Sequence, residues 1–155
     1  MRVDQAMTST VYTCFPSDSL NSAAKLMWDH DCGCIPIVDG MDKVLGILTD
    51  RDICMAAYFQ GEALWRLRCD EAMSKRIYTV QADATVEDAE AIMQLRQVRR
   101  LPVTNADGRL VGILTLSNLA RLAAQSKGRA TISAESIKAT LAAVSTLRAP
   151  AATPH

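Results

Sequence analysis

Along this chain, stretches with apolar residues at helical spacing alternate with short, nearly continuous apolar runs, and the alternation occurs twice. Leu20, Ala23, Ala24 and Met27 share one face of a helix, as do Val86, Ala89 and Met93. The continuous runs are Ile35-Pro36-Ile37-Val38 and Val44-Leu45-Gly46-Ile47-Leu48, then Leu101-Pro102-Val103 and Leu110-Val111-Gly112-Ile113-Leu114. Each pair is split by a turn signal, Asp39-Gly40 or Asp107-Gly108, which predicts two hairpins of short buried strands. Pro36 and Pro102 cannot donate to a ladder, so the expectation is that these strands begin there or lie at an edge. Shorter β-prone runs, Val11-Tyr12-Thr13 and Ile77-Tyr78-Thr79-Val80, precede the helices. Ser17-Asp18-Ser19 and Asp83-Ala84-Thr85 are cap-like, and Thr85 with Asp88 has capping-box spacing. A second helix is expected from Asp50 onward, and another from Leu116 onward.

The alternation is a true repeat. A shift of 66 residues lays 6–60 on 72–126 without a gap, with 12 of the 55 aligned positions identical. Ala6-Met7 falls on Ala72-Met73, Tyr12-Thr13 on Tyr78-Thr79, Pro36 on Pro102, and Gly46-Ile47-Leu48-Thr49 on Gly112-Ile113-Leu114-Thr115. Each unit reads β-α-β-β-α, which makes the fold class α/β of the α+β kind. A three-stranded sheet with two helices cannot cover its own apolar faces, so the units are expected to pack on each other. The expected organisation is unit 1 over 1–60 with a short N-terminal segment, a connector over 61–71 containing Trp65, and unit 2 over 72–126. One more amphipathic helix is expected over 127–148, with Ile137, Leu141, Val144 and Leu147 on one face. Residues 149–155, with Pro150 and Pro154, are expected to fray.

Composition narrows the classes. With 49% hydrophobic and 22% charged residues in 155, the chain is an ordinary globular one. Its 17 basic and 17 acidic side chains balance, which argues against bulk attraction to nucleic acid or an anionic membrane. No apolar run approaches the roughly 20 residues of a membrane helix, and the N-terminus shows no apolar signal-peptide core. Five cysteines, an odd number set in or beside apolar runs, suit buried thiols in a reducing compartment such as the cytoplasm. Cys54 is expected to pack as a small hydrophobe, and Met7, Met27, Met55, Met73 and Met93 to fill core gaps.

Candidate chemistry concentrates at strand ends. Thr49 stands at an expected N-cap with Asp52 three residues on. A hydroxyl and a carboxylate converging there suit a vicinal diol, although a plain capping box needs no ligand. Thr115 and Asn118 repeat the arrangement with an amide, which lacks the charge-assisted component. Arg99 and Arg100 precede a strand and suit phosphate, whereas the first unit has Gly33-Cys34 at that place. His30, Cys32 and Cys34 form a compact set of soft ligands, but their spacing is not a common zinc signature, and no metal residues are assigned. No catalytic constellation is visible: there is no Ser-His-Asp set and no phosphate-binding P-loop.

An internal repeat of this kind, with Gly-Ile-Leu-Thr-x-x-Asp at the unit's end and Arg-Arg-Leu-Pro-Val in its middle, resembles the CBS domain, named for cystathionine β-synthase. The likeness covers roughly residues 3–125. It extends to the short stand-alone bacterial pairs through His30 to Pro36 and Leu48 to Ile53. The resemblance implies a pseudo-two-fold pair with two clefts between the units, binding AMP, ATP or S-adenosylmethionine without catalysis. Carried over, one cleft would use Thr49 and Asp52 for ribose, Arg99 and Arg100 for phosphate, and Ile47, Tyr78 and Pro102 around adenine. The other would use Thr115 and Asn118, with Tyr12, Pro36 and Ile113 near the base and Arg51 as its one cation. The resemblance also implies a homodimer and a separate, unnamed protein target. Two other readings stay open: a structural or dimerisation module with vestigial clefts, and a metal or redox sensor built on His30, Cys32 and Cys34.

Overall fold

The computed structural model describes residues 1–125 and 132–146. In unit 1, α1 (Leu20–Asp29) leads to the hairpin β1 (Cys34–Val38) and β2 (Val44–Thr49), and then to α2 (Asp50–Gln60). A 3-10 turn at Leu64–Arg66 and the short α3 (Cys69–Ala72) lie in the connector region. Unit 2 contains β3 (Val80–Gln81), α4 (Val86–Arg96), β4 (Arg100–Thr104), β5 (Leu110–Thr115) and α5 (Leu116–Gln125). A final helix, α6, spans Ala134–Ser145.

The hairpins repeat in detail. β1 and β2 pair antiparallel with Cys34 opposite Thr49, and β4 and β5 with Arg100 opposite Thr115. In the first turn the Asp39 carboxylate accepts from the backbone of Met41 and Lys43; in the second, Asn105 accepts from Asp107 and Arg109. Asp42 and Gly108, one repeat apart, both take positive φ (61° and 76°), which glycine adopts at no steric cost. Leu20, Ala23 and Met27 are buried as their spacing predicts, and so are Val86, Ala89 and Met93. The two apolar cores lie one under each sheet.

Three expectations change. The run Val11-Tyr12-Thr13 forms no strand; only Cys14 bridges Ile37, so sheet 1 has two strands while sheet 2 has three. In unit 2 the corresponding strand starts at Val80, the last residue of the run Ile77-Tyr78-Thr79-Val80. Pro36 and Pro102 stand third in their strands rather than at the start, and β4 is the central strand of its sheet. They are tolerated because they oppose Ile47 and Ile113, whose backbone groups point away from the hairpin and bond elsewhere. β3 meets β4 only at Val103 and Thr104, past the proline. Cys54 is exposed, because α2 turns Ile53 inward and the adjacent position outward.

The units exchange their leading segments. Thr8 of unit 1 trades two backbone hydrogen bonds with Ile113 of unit 2, both 2.9 Å. Its counterpart Ser74 trades two with Ile47, at 2.9 and 3.1 Å. Further back, Arg2 bridges Thr85 and Arg68 bridges Ser19, again one repeat apart. Met7 lies across Gly112, and Met73 across Gly46. A Cβ on either glycine would overlap the methionine sulfur; at Gly46 it would also sit 3.1 Å from the Ser74 carbonyl oxygen.

Helix α6 differs from its expected form. Thr140 and Val144 are its buried residues, whereas Leu141 remains half exposed. Leu147 and the expected tail over 149–155 lie outside the described residues, as does the segment 126–131.

Gly46→Ala is expected to destabilise the fold by about 1–3 kcal/mol through overpacking against Met73. Urea denaturation checks this, and Gly46→Ala combined with Met73→Ala should cost less than the two single changes summed.

Candidate functional site

A cavity of about 870 Å³ lies on the seam between the units. Unit 1 contributes Thr8, Thr10, Val11 and Tyr12 from its leading segment and His30 to Cys34 from the loop between α1 and β1. Unit 2 contributes Arg99 and Arg100 before and at the start of β4, Ile113 and Thr115 of β5, and the first turns of α5 as far as Arg121. Ile137 and Leu141 of α6 complete the wall.

Hairpin register explains much of this partition. Because Arg100 stands opposite Thr115, the arginine pair lies beside its own unit's threonine and α5 N-terminus. Arg99 and Arg100 therefore join Tyr12, Ile113, Thr115 and Asn118, the cleft that sequence reasoning left without them. Ile47, Thr49, Asp52, Tyr78 and Pro102 do not line this cavity, nor do Pro36 and Arg51. The Arg100 guanidinium also reaches across the seam: a Cβ on Gly33 would sit 3.1 Å from its Nη2 and 3.8 Å from an Asp50 carboxylate oxygen.

Both threonine clusters form reciprocal caps. Asp52 Oδ2 accepts from the Thr49 amide at 2.8 Å and from its hydroxyl at 2.7 Å, while the Asp52 amide donates to Thr49 Oγ1 at 3.2 Å. Asn118 Oδ1 does the same with Thr115, at 2.9 and 2.6 Å, and its amide donates to Thr115 Oγ1 at 3.1 Å. Asn118 has a further task, since its Nδ2 donates to Thr8 Oγ1 of the other unit at 3.1 Å. A carboxylate could accept from the threonine but could not donate to Thr8. The amide that reads in sequence as a weakened diol grip is thus a tie between units.

Aromatic geometry departs from the repeat in a matched way. Tyr12 stacks on His30 with ring centroids 3.5 Å apart and planes within 8°. One repeat on, Tyr78 faces Arg96, whose guanidinium carbon is 4.9 Å from the ring centroid, a cation–π contact.

Three arginines and one acid, Asp31, line the cavity. Arg99, Arg100 and Arg121 all line it, and among the described residues none of them forms a salt bridge. Burial pushes the Cys34 thiol up from 9.0 to about 11 against the opposing pull of Arg100, and burial raises Cys32 as well. At neutral pH Cys34 is therefore held as the neutral thiol, the less nucleophilic form. Among the described residues no three His, Cys, Asp or Glu side chains are placed to hold a metal ion.

Sequence reasoning missed Arg121, Ile137 and Leu141. Arg121 carries no local motif, and α6 lies outside the repeat whose symmetry guided the search.

Two interlocked α-β-β-α units, the second preceded by a short strand, with a ligand-sized cavity on their seam define a tandem regulatory-type pair. The CBS domain model matches residues 3–58 and 69–125, and the chain belongs to the CBS-domain family. It is 36% identical over 118 residues to the CBS domain-containing protein YhcV of Bacillus subtilis, covering 76% of this chain and 82% of that one. Among solved structures it is similar to Hypoxic Response Protein I with two coordinated zinc ions (34% identity, TM-score 0.71, 78% of this chain and 98% of that one). It also resembles the CBS pair of protein MJ0100 in complex with 5′-methylthioadenosine and S-adenosyl-L-methionine (28%, 0.72, 82% and 98%). CBSX2 in complex with AMP is similar at 28% and a TM-score of 0.70, covering 81% and 98%. No helix among the described residues is long and apolar enough to cross a membrane.

Thiol labelling checks the cysteine assignments. With a maleimide at pH 7.5, mass spectrometry should find Cys54 modified first, and Cys34 protected until the protein unfolds.

Proposed function

We propose that this CBS pair is a non-catalytic regulatory module that binds a phosphorylated adenosine in the seam cavity and signals its presence to a separate protein. The observation that carries the reading is the convergence of Arg99, Arg100 and Arg121 on a cavity that also holds the Thr115–Asn118 cluster. Guanidinium forks match phosphate oxygens, and three of them with no salt-bridge partner among the described residues favour an anion over the cationic sulfonium of S-adenosylmethionine. Ile113 and the stacked Tyr12–His30 pair supply the apolar and flat surfaces a purine needs. The relatives crystallised with AMP and with adenosyl ligands support the adenine part of the assignment.

The Asp52 cleft, with Thr49, Ile47, Tyr78 and Pro102, is proposed as the weaker site, because the arginine pair lines the other one. The module acts as a cytoplasmic homodimer in this reading. Supporting it, Trp28, Tyr58 and Phe59 of unit 1 and Trp65 of the connector are exposed by 71% or more, an unusual amount of aromatic surface for a solitary chain. The metal or redox alternative loses support from the raised thiols and from the lack of a ligand set among the described residues.

Thermal shift and calorimetry with adenosine, AMP, ADP, ATP and S-adenosylmethionine test the proposal. Affinity should rise with phosphate number, and Arg99→Ala with Arg100→Ala should weaken ADP at least about tenfold, the scale of losing charge-assisted hydrogen bonds. Equal binding of adenosine and ADP, or no binding by any of the five, would overturn it.

A further inference from the structure

Helix α6 lies beyond both repeats and packs on α4 and α5 of unit 2. Side-chain hydrogen bonds tie it to α4 and to Gln97 just beyond. Ser136 Oγ donates to Glu90 at 2.7 Å and Thr140 Oγ1 to Glu90 at 3.3 Å, while Gln94 Nε2 donates to Thr140 at 2.8 Å. Gln97 Nε2 donates to the Ala143 carbonyl at 3.5 Å. Within the helix, Val144 is the one buried apolar side chain. Hydrogen bonds of this kind exchange for water at small net cost, so the polar part of the docking is shallow, while Val144 and Ile137 pack on the unit 2 core.

Two features tie this docking to the cavity. Ile137 and Leu141 form part of its wall, with Leu141 still half exposed. At the far end of the helix, Arg99 Nη2 donates to Ser145 Oγ at 3.4 Å. The terminal carbonyls of α6 add partial negative charge, which favours a guanidinium at that end. Arg99 therefore serves two sites: it anchors the last turn of α6, and it lines the cavity assigned to phosphate.

We infer that α6 is the displaceable wall of the nucleotide cleft, and that ligand phosphate and the C-terminal turn of α6 compete for Arg99. The inference rests on the nucleotide reading of the cavity. When phosphate takes the guanidinium, Ser145 loses its partner, the last turn of α6 loosens, and its polar face toward α4 becomes accessible. Because coupling between sites is reciprocal, weakening the α6 contact must strengthen the ligand. Occupancy is thereby converted into a change on a helix that a partner protein can read.

The test uses the full chain. Amide hydrogen exchange over residues 134–146 is followed without ligand, with saturating ADP and with adenosine, and ADP affinity is measured for the unaltered chain and for Ser145→Ala. ADP should speed exchange in α6 while adenosine leaves it unchanged. Ser145→Ala, which removes only an exposed hydroxyl, should bind ADP about two- to threefold tighter, the scale of one weak hydrogen bond. Slower or unchanged α6 exchange in a chain that binds ADP would overturn the inference and leave the cleft assignment standing. Unaltered affinity in Ser145→Ala would do the same. Failure of the unaltered chain to bind ADP would remove the cleft assignment itself, and the inference with it.

Discussion

Neither unit of this protein is complete without a strip of backbone lent by the other. Thr8 closes on Ile113 and Ser74 closes on Ile47, each through two hydrogen bonds, and each places a methionine over a glycine that has no room for a Cβ. These four bonds satisfy the outward-facing groups of β2 and β5, which would otherwise be orphaned at a buried edge. They also hold the two prolines harmless, since the same alternation that turns Ile47 and Ile113 outward leaves Pro36 and Pro102 with no partner to disappoint. The seam cavity follows from the exchange. Its floor is the lent segment around Thr8 to Tyr12, and its opposite wall is the unit that segment crosses to.

Periodicity and the repeat together were enough to read the helices and hairpins, because each signal is local and the second copy checks the first. The turns are an example: Asp39 and Asn105 sit one repeat apart and make the same pair of backbone bonds. The β-prone run before α1 misled because Val11, Thr13 and Tyr12 have strand propensity but no strand to pair with; tertiary context decides such short runs. The site was half legible. Tyr12, Ile113, Thr115 and Asn118 line one cavity while Pro36 and Arg51, expected with them, do not, and strand register keeps the arginines beside Thr115 rather than across the seam. Register is a property of the paired hairpin, and neither motif spacing nor the repeat alignment contains it. The part played by α6 was illegible for a different reason: its apolar stripe reads as a core face, yet Thr140 is buried and Leu141 turns toward the cavity.

The exchange also accounts for why the two units carry unequal chemistry. Asn118 accepts from Thr115 and donates to Thr8, whereas an acid there could hold Thr8 only by accepting from its hydroxyl. At the equivalent place Asp52 is bonded within its own cap alone, and a carboxylate serves. The sequence difference thus tracks a difference in hydrogen-bond duty as much as any ligand.

The arginine pair yields to a similar argument. Gly33 and Cys34 are the repeat counterparts of Arg99 and Arg100, and all four line the same cavity. Near a pseudo-two-fold axis a residue meets its own counterpart, and here the meeting is close: Arg100 Nη2 occupies the space just above the Gly33 backbone. Arginines in both copies would bring four guanidinium groups to one cavity, crowding Arg100 above Gly33 and setting cations against one another partly out of water. Glycine at 33 leaves the Arg100 guanidinium that space, so the size difference and the charge difference between the two copies go together.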